Sequence, residues 1–236
     1  MTAPLQAPPS ATAVRDAATV ILWRIGDEGP EALMGTRGAT AAFMPNKVVF
    51  PGGAVDRSDE TIRLDGLPPR DCLNRLAAAP RTEPPLPAQA LLAAAIREVW
   101  EETGLILGHP GRMSAAPPSG WDTFAARGCC PDASAFRFVF RAVTPPGRPR
   151  RFDARFFLVP ATAVHGPTDD FSDATDELSH LQWVPLRRTR SYDLPFITQV
   201  VLREIAPLIA AGGSAPEAGV PFVENDDIVS SVTRLA

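Results

Sequence analysis

From residue 17 to 25 the chain reads AATVILWRI, an apolar and β-branched run that predicts a buried strand. The turn GDEGPE and the following ALMGTR predict its hairpin partner, and KVVFPGG (47–53) predicts a short strand that stops at Pro51 and two glycines. Residues 57–89 break the pattern. They are rich in proline and polar side chains, carry only a short helical patch near RDCLNRLAA, and read as an insertion. AQALLAAAIREVWEET (88–103) then predicts a long helix, rich in Ala, Leu and Glu and stopped by Gly104.

Residues 108–133 read as loop, with a turn or two of helix in GWDTFAARG. AFRFVFRAVT and RFDARFFLVP predict two strands joined through PPGRPR, and SHLQWVPL a further short one. PFITQVVLREIAPLIAAG predicts a second long helix, with Phe196, Val200, Ile205 and Leu208 among its apolar positions. No internal repeat is visible. Strands mixed with two substantial helices predict an α/β (α+β) fold, a mixed β sheet sandwiched between α-helices. The expected organisation is a flexible Pro/Ala-rich arm over 1–14 and a single domain over 15–236 that contains the 57–89 insertion.

Composition narrows this picture. With 45% hydrophobic residues the 236-residue chain can fill a core, and its 26 prolines imply long, stiff connections. A net charge of −4 gives no basic field for a nucleic-acid backbone. The short basic run Arg148, Arg150, Arg151 and Arg155 is sized for a small anion. Cys72, Cys129 and Cys130 have no disulfide or zinc spacing, which implies a reducing compartment. The start of the chain lacks a signal-like apolar stretch and no run of about 18 apolar residues occurs. A soluble, cytoplasmic protein without membrane contact is the expectation.

The chemistry concentrates in REVWEETG (97–104), where Glu98, Glu101 and Glu102 share one helix face about 100° wide. Ile96, Trp100 and Thr103 point the other way, toward a core. Like charges at this spacing repel and raise one another's pKa unless a cation neutralises them. A hard divalent cation such as Mg²⁺ does so with carboxylate oxygens and keeps waters for phosphates. The competing reading is a solvated acidic face.

REVWEETGL resembles the second half of the Nudix box, Arg-Glu-U-x-Glu-Glu-x-Gly-U with U aliphatic, at every specified position. FPGGAVD (50–56) is similar to the strand-to-loop entry of the same box. The resemblance implies the Nudix fold, a loop-helix-loop that holds Mg²⁺ or Mn²⁺, and water attack on a diphosphate linked to another moiety. By motif position it implies Glu98, Glu101 and Glu102 as metal ligands, with the backbone carbonyl of Gly52 as a further oxygen. Arg97, Glu98 and Glu101 become catalytic candidates, with Glu177 as an acidic ligand or base from outside the box. Asp169, Asp170, Asp173 and Asp176 are weaker candidates, since local aspartates often serve turns. Arg37, Gly53 and Arg151 are expected near substrate, the arginines as anion partners. Phe43, Phe50 and Phe152 are candidates for base stacking or for the core, and His109, His165 and His180 have no ligand spacing.

Two departures stand out. The standard box runs Gly-x5-Glu-x7-Arg, whereas Gly53 lies 44 positions before Arg97, so roughly 30 extra residues split the box. The position eight before Arg97, where that glutamate orients the arginine, is Gln89, so Arg97 is expected to pair with Glu101 or Asp56. The split is similar to that of a Nudix subgroup with a peroxisomal coenzyme A diphosphatase among its members, and the resemblance spans residues 16 to about 210. It implies a nucleoside diphosphate derivative as substrate, coenzyme A or acyl-CoA first, with ADP-ribose, dinucleotides and damaged nucleotides as alternatives. A non-catalytic nucleotide-binding module is the alternative of another class, and a homodimer is plausible by resemblance.

Overall fold

A computed structural model of the chain describes residues 13–41, 43–113, 116–225 and 230–236. Its strands and helices follow in the order β1 (Val14–Gly26), β2 (Gly29–Arg37), β3 (Val48–Val49), β4 (Gly52–Ala54), α1 (Arg70–Ala77) and α2 (Ala88–Thr103). Next come β5 (Ile106–Pro110), α3 (Asp122–Ala125), β6 (Cys129–Pro131), β7 (Arg137–Val143), β8 (Arg151–Pro160), β9 (Val164–His165) and β10 (Leu178–Pro185). The last are α4 (Phe196–Ala210), β11 (Val220–Asn225) and β12 (Ser230–Leu235). The arm expected over 1–14 lies outside the described residues up to residue 12, and Val14 already belongs to β1.

The main sheet runs β10-β2-β1-β8-β7-β11-β12, with β3 added beside β2 and β4 beside β1. It is mixed: β1 and β8 are parallel, as are β7 and β11, while β1 with β2 and β7 with β8 are antiparallel. Alternation in β1 explains why helices cover both faces. Ala18, Val20 and Leu22 pack with α2, whereas Ile21 packs with Val201, Leu202 and Ile205 of α4 on the other side. The run of alanines at 93–95 lets α2 sit close on the sheet, fully buried. The expected sandwich of helices about a mixed sheet is therefore the observed architecture.

Three features differ from the sequence expectation. The region 108–133 is not wholly loop, because β5 and β6 pair with each other and β5 with β9 in a small second sheet. The C-terminal hairpin β11–β12 extends the main sheet. Phe196 opens α4 but points to solvent, 80% exposed. The 57–89 segment carries the expected short helix as α1 and also a 3-10 turn over Arg57–Thr61. Its Ile62, Leu64, Cys72 and Leu76 enter the core beside α2, so this segment is packed rather than a loose excursion. All three cysteines are free and buried, and no helix among the described residues is long and apolar enough to cross a membrane.

Candidate active site

Helix α2 stops at Gly104, whose φ of 73° is the left-handed conformation of a helix C-cap. Its last two turns carry the acidic side chains toward the strand that begins at Gly52. There the helix has no solvated acidic face: Glu98 and Glu102 are buried, at 8% and 1% exposure, and only Glu101 reaches the surface. Small residues make this closeness possible. Gly52, at φ +154°, lies where a Cβ would collide with the backbone of Ala18 and Thr19 on β1, and a Cβ on Gly53 would sit 2.5 Å from the Glu98 carboxyl.

Arg97 organises the carboxylates. Its Nη1 donates to Glu98 and Glu101, both at 2.9 Å, and its Nη2 to the carbonyl of Ala54 at 3.0 Å. Its Nε and Nη2 also grip the two oxygens of Asp59, each at 3.0 Å. All five N–H donors are thus used. Burial alone would lower the proton affinity of this guanidinium, but Asp59 and Glu98 more than reverse that, so Arg97 stays charged. Asp59, fully buried, further accepts from Trp121 Nε1 at 3.0 Å and from the amide of Asp56 at 2.9 Å.

Asp59 and Trp121 escaped the sequence reading, and the pairing expected from it needs two corrections. Asp56 does not reach Arg97; its carboxylate lies 3.6 Å from Arg15 at the surface. Gln89 does not stand in the place of the box glutamate, because its Nε2 donates to the Ile62 carbonyl at 3.0 Å. Counting forward from Gly53 supplies the signal that was missed: Gly53-x5-Asp59 keeps the box spacing, and the extra residues fall between Asp59 and α2.

The electrostatics of the site are those of too much negative charge in too little water. Burial, opposed by Arg97 and reinforced by Glu101, raises Glu98 to about 7. Burial and then the charge of Glu98 raise Glu102 well above the usual carboxylate range, and burial raises Glu101. The Gly52 amide donates to one oxygen of Glu102 at 2.7 Å, while the other, Oε1, is buried without a partner. An orphaned buried carboxylate oxygen beside a second buried carboxylate suits a hard divalent cation. Among the described residues no three His, Cys, Asp or Glu side chains are gathered closely enough to hold a metal as they stand, because Arg97 and Gly52 draw the carboxylates to themselves.

Glu177 lies across the site, with its Oε1 2.6 Å from Arg37 Nη2. Glu177 ends the turn just before β10, and the sheet holds it beside Arg37, since Leu178 of β10 is the register partner of Arg37 in β2. The preceding loop is tied to α2 by a hydrogen bond from the Thr175 amide to the Glu101 carbonyl, at 2.8 Å. Of the neighbouring acids, Asp169 pairs with Arg24, Asp173 with Arg127, and Asp170 caps Ser172.

Other candidates are not brought here. Arg151 is buried, and its guanidinium is committed to the carbonyls of Thr144 and Asn225, so it is not the free anion partner expected of it. Arg155 is buried in a network with Asp16 and Asp153. Phe50 is core, Phe43 and Phe152 meet edge to face at 5.2 Å, and the three histidines are exposed.

No protein-family model matches the chain. Over 164 residues it is 28% identical to Putative nudix hydrolase 7 of Caenorhabditis elegans, a match that takes in 64% of this chain and 45% of that protein. The chain thus spans about half the length of this curated relative. Among solved structures it is similar to a NUDIX hydrolase from Alicyclobacillus acidocaldarius, at 30% identity and a TM-score of 0.63 over 86% of this chain and 97% of that one. That likeness, nearly end to end on the solved protein, accompanies a box whose arginine and carboxylates are folded together on one helix end: the chain belongs to the Nudix hydrolase family.

Proposed function

We propose that the protein is a metal-dependent hydrolase that splits the diphosphate linkage of a nucleoside diphosphate derivative into two phosphate monoesters. The observation that carries this reading is Glu102 Oε1, a buried carboxylate oxygen without a partner, beside Glu98 at the end of a box helix. Glu98, Glu101 and Glu102, with the Gly52 carbonyl, would hold Mg²⁺ or Mn²⁺. Bound there, the cation supplies charge neutralisation on the diphosphate and a lowered pKa for an attacking water.

The chain's own residues supply positioning. Arg97 holds Glu98 and Glu101 in place and is itself held by Asp59. Glu101 or Glu98 accepts the proton of the attacking water, and Glu177 adds a further acidic ligand or base. Arg37 grips a phosphate through its guanidinium fork. Gly53 lacks a side chain that would stand between the substrate and Glu98.

Coenzyme A or an acyl-CoA is the substrate this reading favours, on the likeness of the split box to the coenzyme A diphosphatase subgroup. One incubation tests both levels: purified protein, Mg²⁺ or Mn²⁺, and a panel of coenzyme A, ADP-ribose, NADH, diadenosine polyphosphates and deoxynucleoside triphosphates, read by mass spectrometry with Glu102→Gln as blank. Conversion of coenzyme A to 4′-phosphopantetheine and 3′,5′-ADP is expected. Cleavage of another panel member keeps the chemistry and removes the substrate, and no cleavage of any member turns the reading toward a nucleotide-binding module.

A further inference from the structure

Arg37 and Glu177 are each poised for a task that the other blocks. The Arg37 guanidinium, the expected phosphate grip, is tied by Nη2 to Glu177, while its Nε is buried without a partner. Glu177 presents one carboxylate oxygen to Arg37, and its side chain is 53% exposed and free to turn. The loop that carries Glu177 is bonded to the end of α2, the helix of Glu98 and Glu102, through the Thr175 amide and the Glu101 carbonyl at 2.8 Å. Both backbones are fixed. Arg37 exchanges hydrogen bonds with Lys47 and Asn46, and Glu177 lies between the Thr175 tether and the strand pair Leu178–Arg37.

We propose that Glu177 changes partners when the divalent cation binds, its carboxylate leaving Arg37 to join Glu98 and Glu102, so that the freed Arg37 guanidinium takes up a substrate phosphate. This rests on the reading of the site as a cation-dependent diphosphate hydrolase. The chemical driving force is the same at both ends. A dication attracts the half-exposed Glu177 more strongly than a single guanidinium does, and a phosphate, with two oxygens to offer, is a better bidentate partner for Arg37 than one carboxylate oxygen. In the absence of cation, the ion pair keeps Arg37 from binding anions unproductively and steadies the acidic cluster. Substrate phosphate and metal then bind with positive coupling, through Glu177.

A double-mutant cycle on Mn²⁺ binding, followed by calorimetry or by the resonance of free Mn²⁺, tests this without turnover. Arg37→Met is expected to tighten Mn²⁺ by about fivefold, the upper end for a half-exposed pair, because Glu177 no longer has to leave a partner. In the Glu177→Gln background the same substitution is expected to change Mn²⁺ affinity by less than about twofold, within the error of additivity. An equal tightening in both backgrounds would mean simple repulsion of the cation by Arg37 and would overturn the exchange, as would no tightening in either. Inorganic phosphate gives a second arm, in metal-free protein: Glu177→Gln should bind it more tightly than wild type, and Arg37→Met with Glu177→Gln should not. Equal phosphate binding by wild type and Glu177→Gln also counts against the exchange. Failure of the wild-type protein to bind Mn²⁺ at all is a distinct result, since it removes the metal-dependent reading on which the exchange stands.

Discussion

Asp59 and Arg97 meet through two parallel hydrogen bonds of 3.0 Å, although the inserted segment separates them along the chain. The pair is fully buried, and it is the joint at which the two halves of the split box are fastened. Arg97 passes this anchoring on to Glu98 and Glu101. An aspartate is one methylene shorter than the usual glutamate, and the 3-10 turn over Arg57–Thr61 together with Trp121 holds it at reach.

Asp59→Asn keeps the volume but leaves Arg97 with a buried charge short of one partner. Breaking a buried pair costs about 3–5 kcal/mol. For a chain of this size the melting temperature should fall on the order of 10 °C. Turnover should fall as well, since Glu98 and Glu101 lose their fixed support. Asp59→Glu, which restores the charge, should recover much of both. A melting curve unchanged in Asp59→Asn would show that the joint lies elsewhere.

Gln89→Glu separates the two ways of aligning the box. If Gln89 stood in the box position, a glutamate there would improve the site. The structure predicts the reverse: the substitution removes an N–H donor to the Ile62 carbonyl and sets a carboxylate against that oxygen. A loss of about 1–3 kcal/mol in a denaturant titration, with no gain in turnover, is expected.

The two outcomes for residue 89 show where sequence reading reached its limit. Strand β1 and helix α2 were legible because their apolar positions follow one period over many residues, and REVWEETG was legible because its spacing lies within one helix. The partner of Arg97 lies across an insertion, where counting back from the helix lands on Gln89 and counting forward from Gly53 lands on Asp59. Strands β5 and β6 are short and contain glycine, proline and cysteine, and β12 is largely exposed, so none of the three had a sustained alternation to read. Arg151 looked like one of a basic run, and only three dimensions reveal the carbonyls that hold it.

Gly53→Ala tests how tightly the site is built. The added methyl would lie 2.5 Å from the Glu98 carboxyl, which must swing away since the strand cannot move. Mn²⁺ affinity should fall at least about tenfold, roughly the loss that follows disturbance of a metal ligand's surroundings. The melting temperature of the metal-free protein should fall less than in Asp59→Asn, because the displaced group is a carboxyl end that loses one of the several bonds to Arg97 and the backbone stays in place. Equal loss of stability and affinity would place the collision in the fold instead of the ligand set.

Glu98 gives the site a pH signature. Its carboxyl is raised from 4.5 to about 7, chiefly by burial, so the folded state holds a proton more tightly than the unfolded chain does. The stabilisation this brings is full below about 4.5 and is lost as pH rises through 7. At about 1.4 kcal/mol per unit, the contribution is about 3 kcal/mol, and it disappears between those limits. In the presence of a chelator, the melting temperature of the wild type relative to Glu98→Gln should therefore decline by several degrees between pH 5 and pH 8. Glu102 is raised in the same direction, so Glu98→Gln keeps part of its own decline. Under the proposed function, Mg²⁺ or Mn²⁺ is expected to reverse the sign, by binding the ionised carboxylates and releasing their protons. Wild-type protein should thus gain more stability from added metal at pH 8 than at pH 5.5, and Glu98→Gln should gain little at either. A metal effect independent of pH would mean that the cation is held by groups other than this pair of buried glutamates.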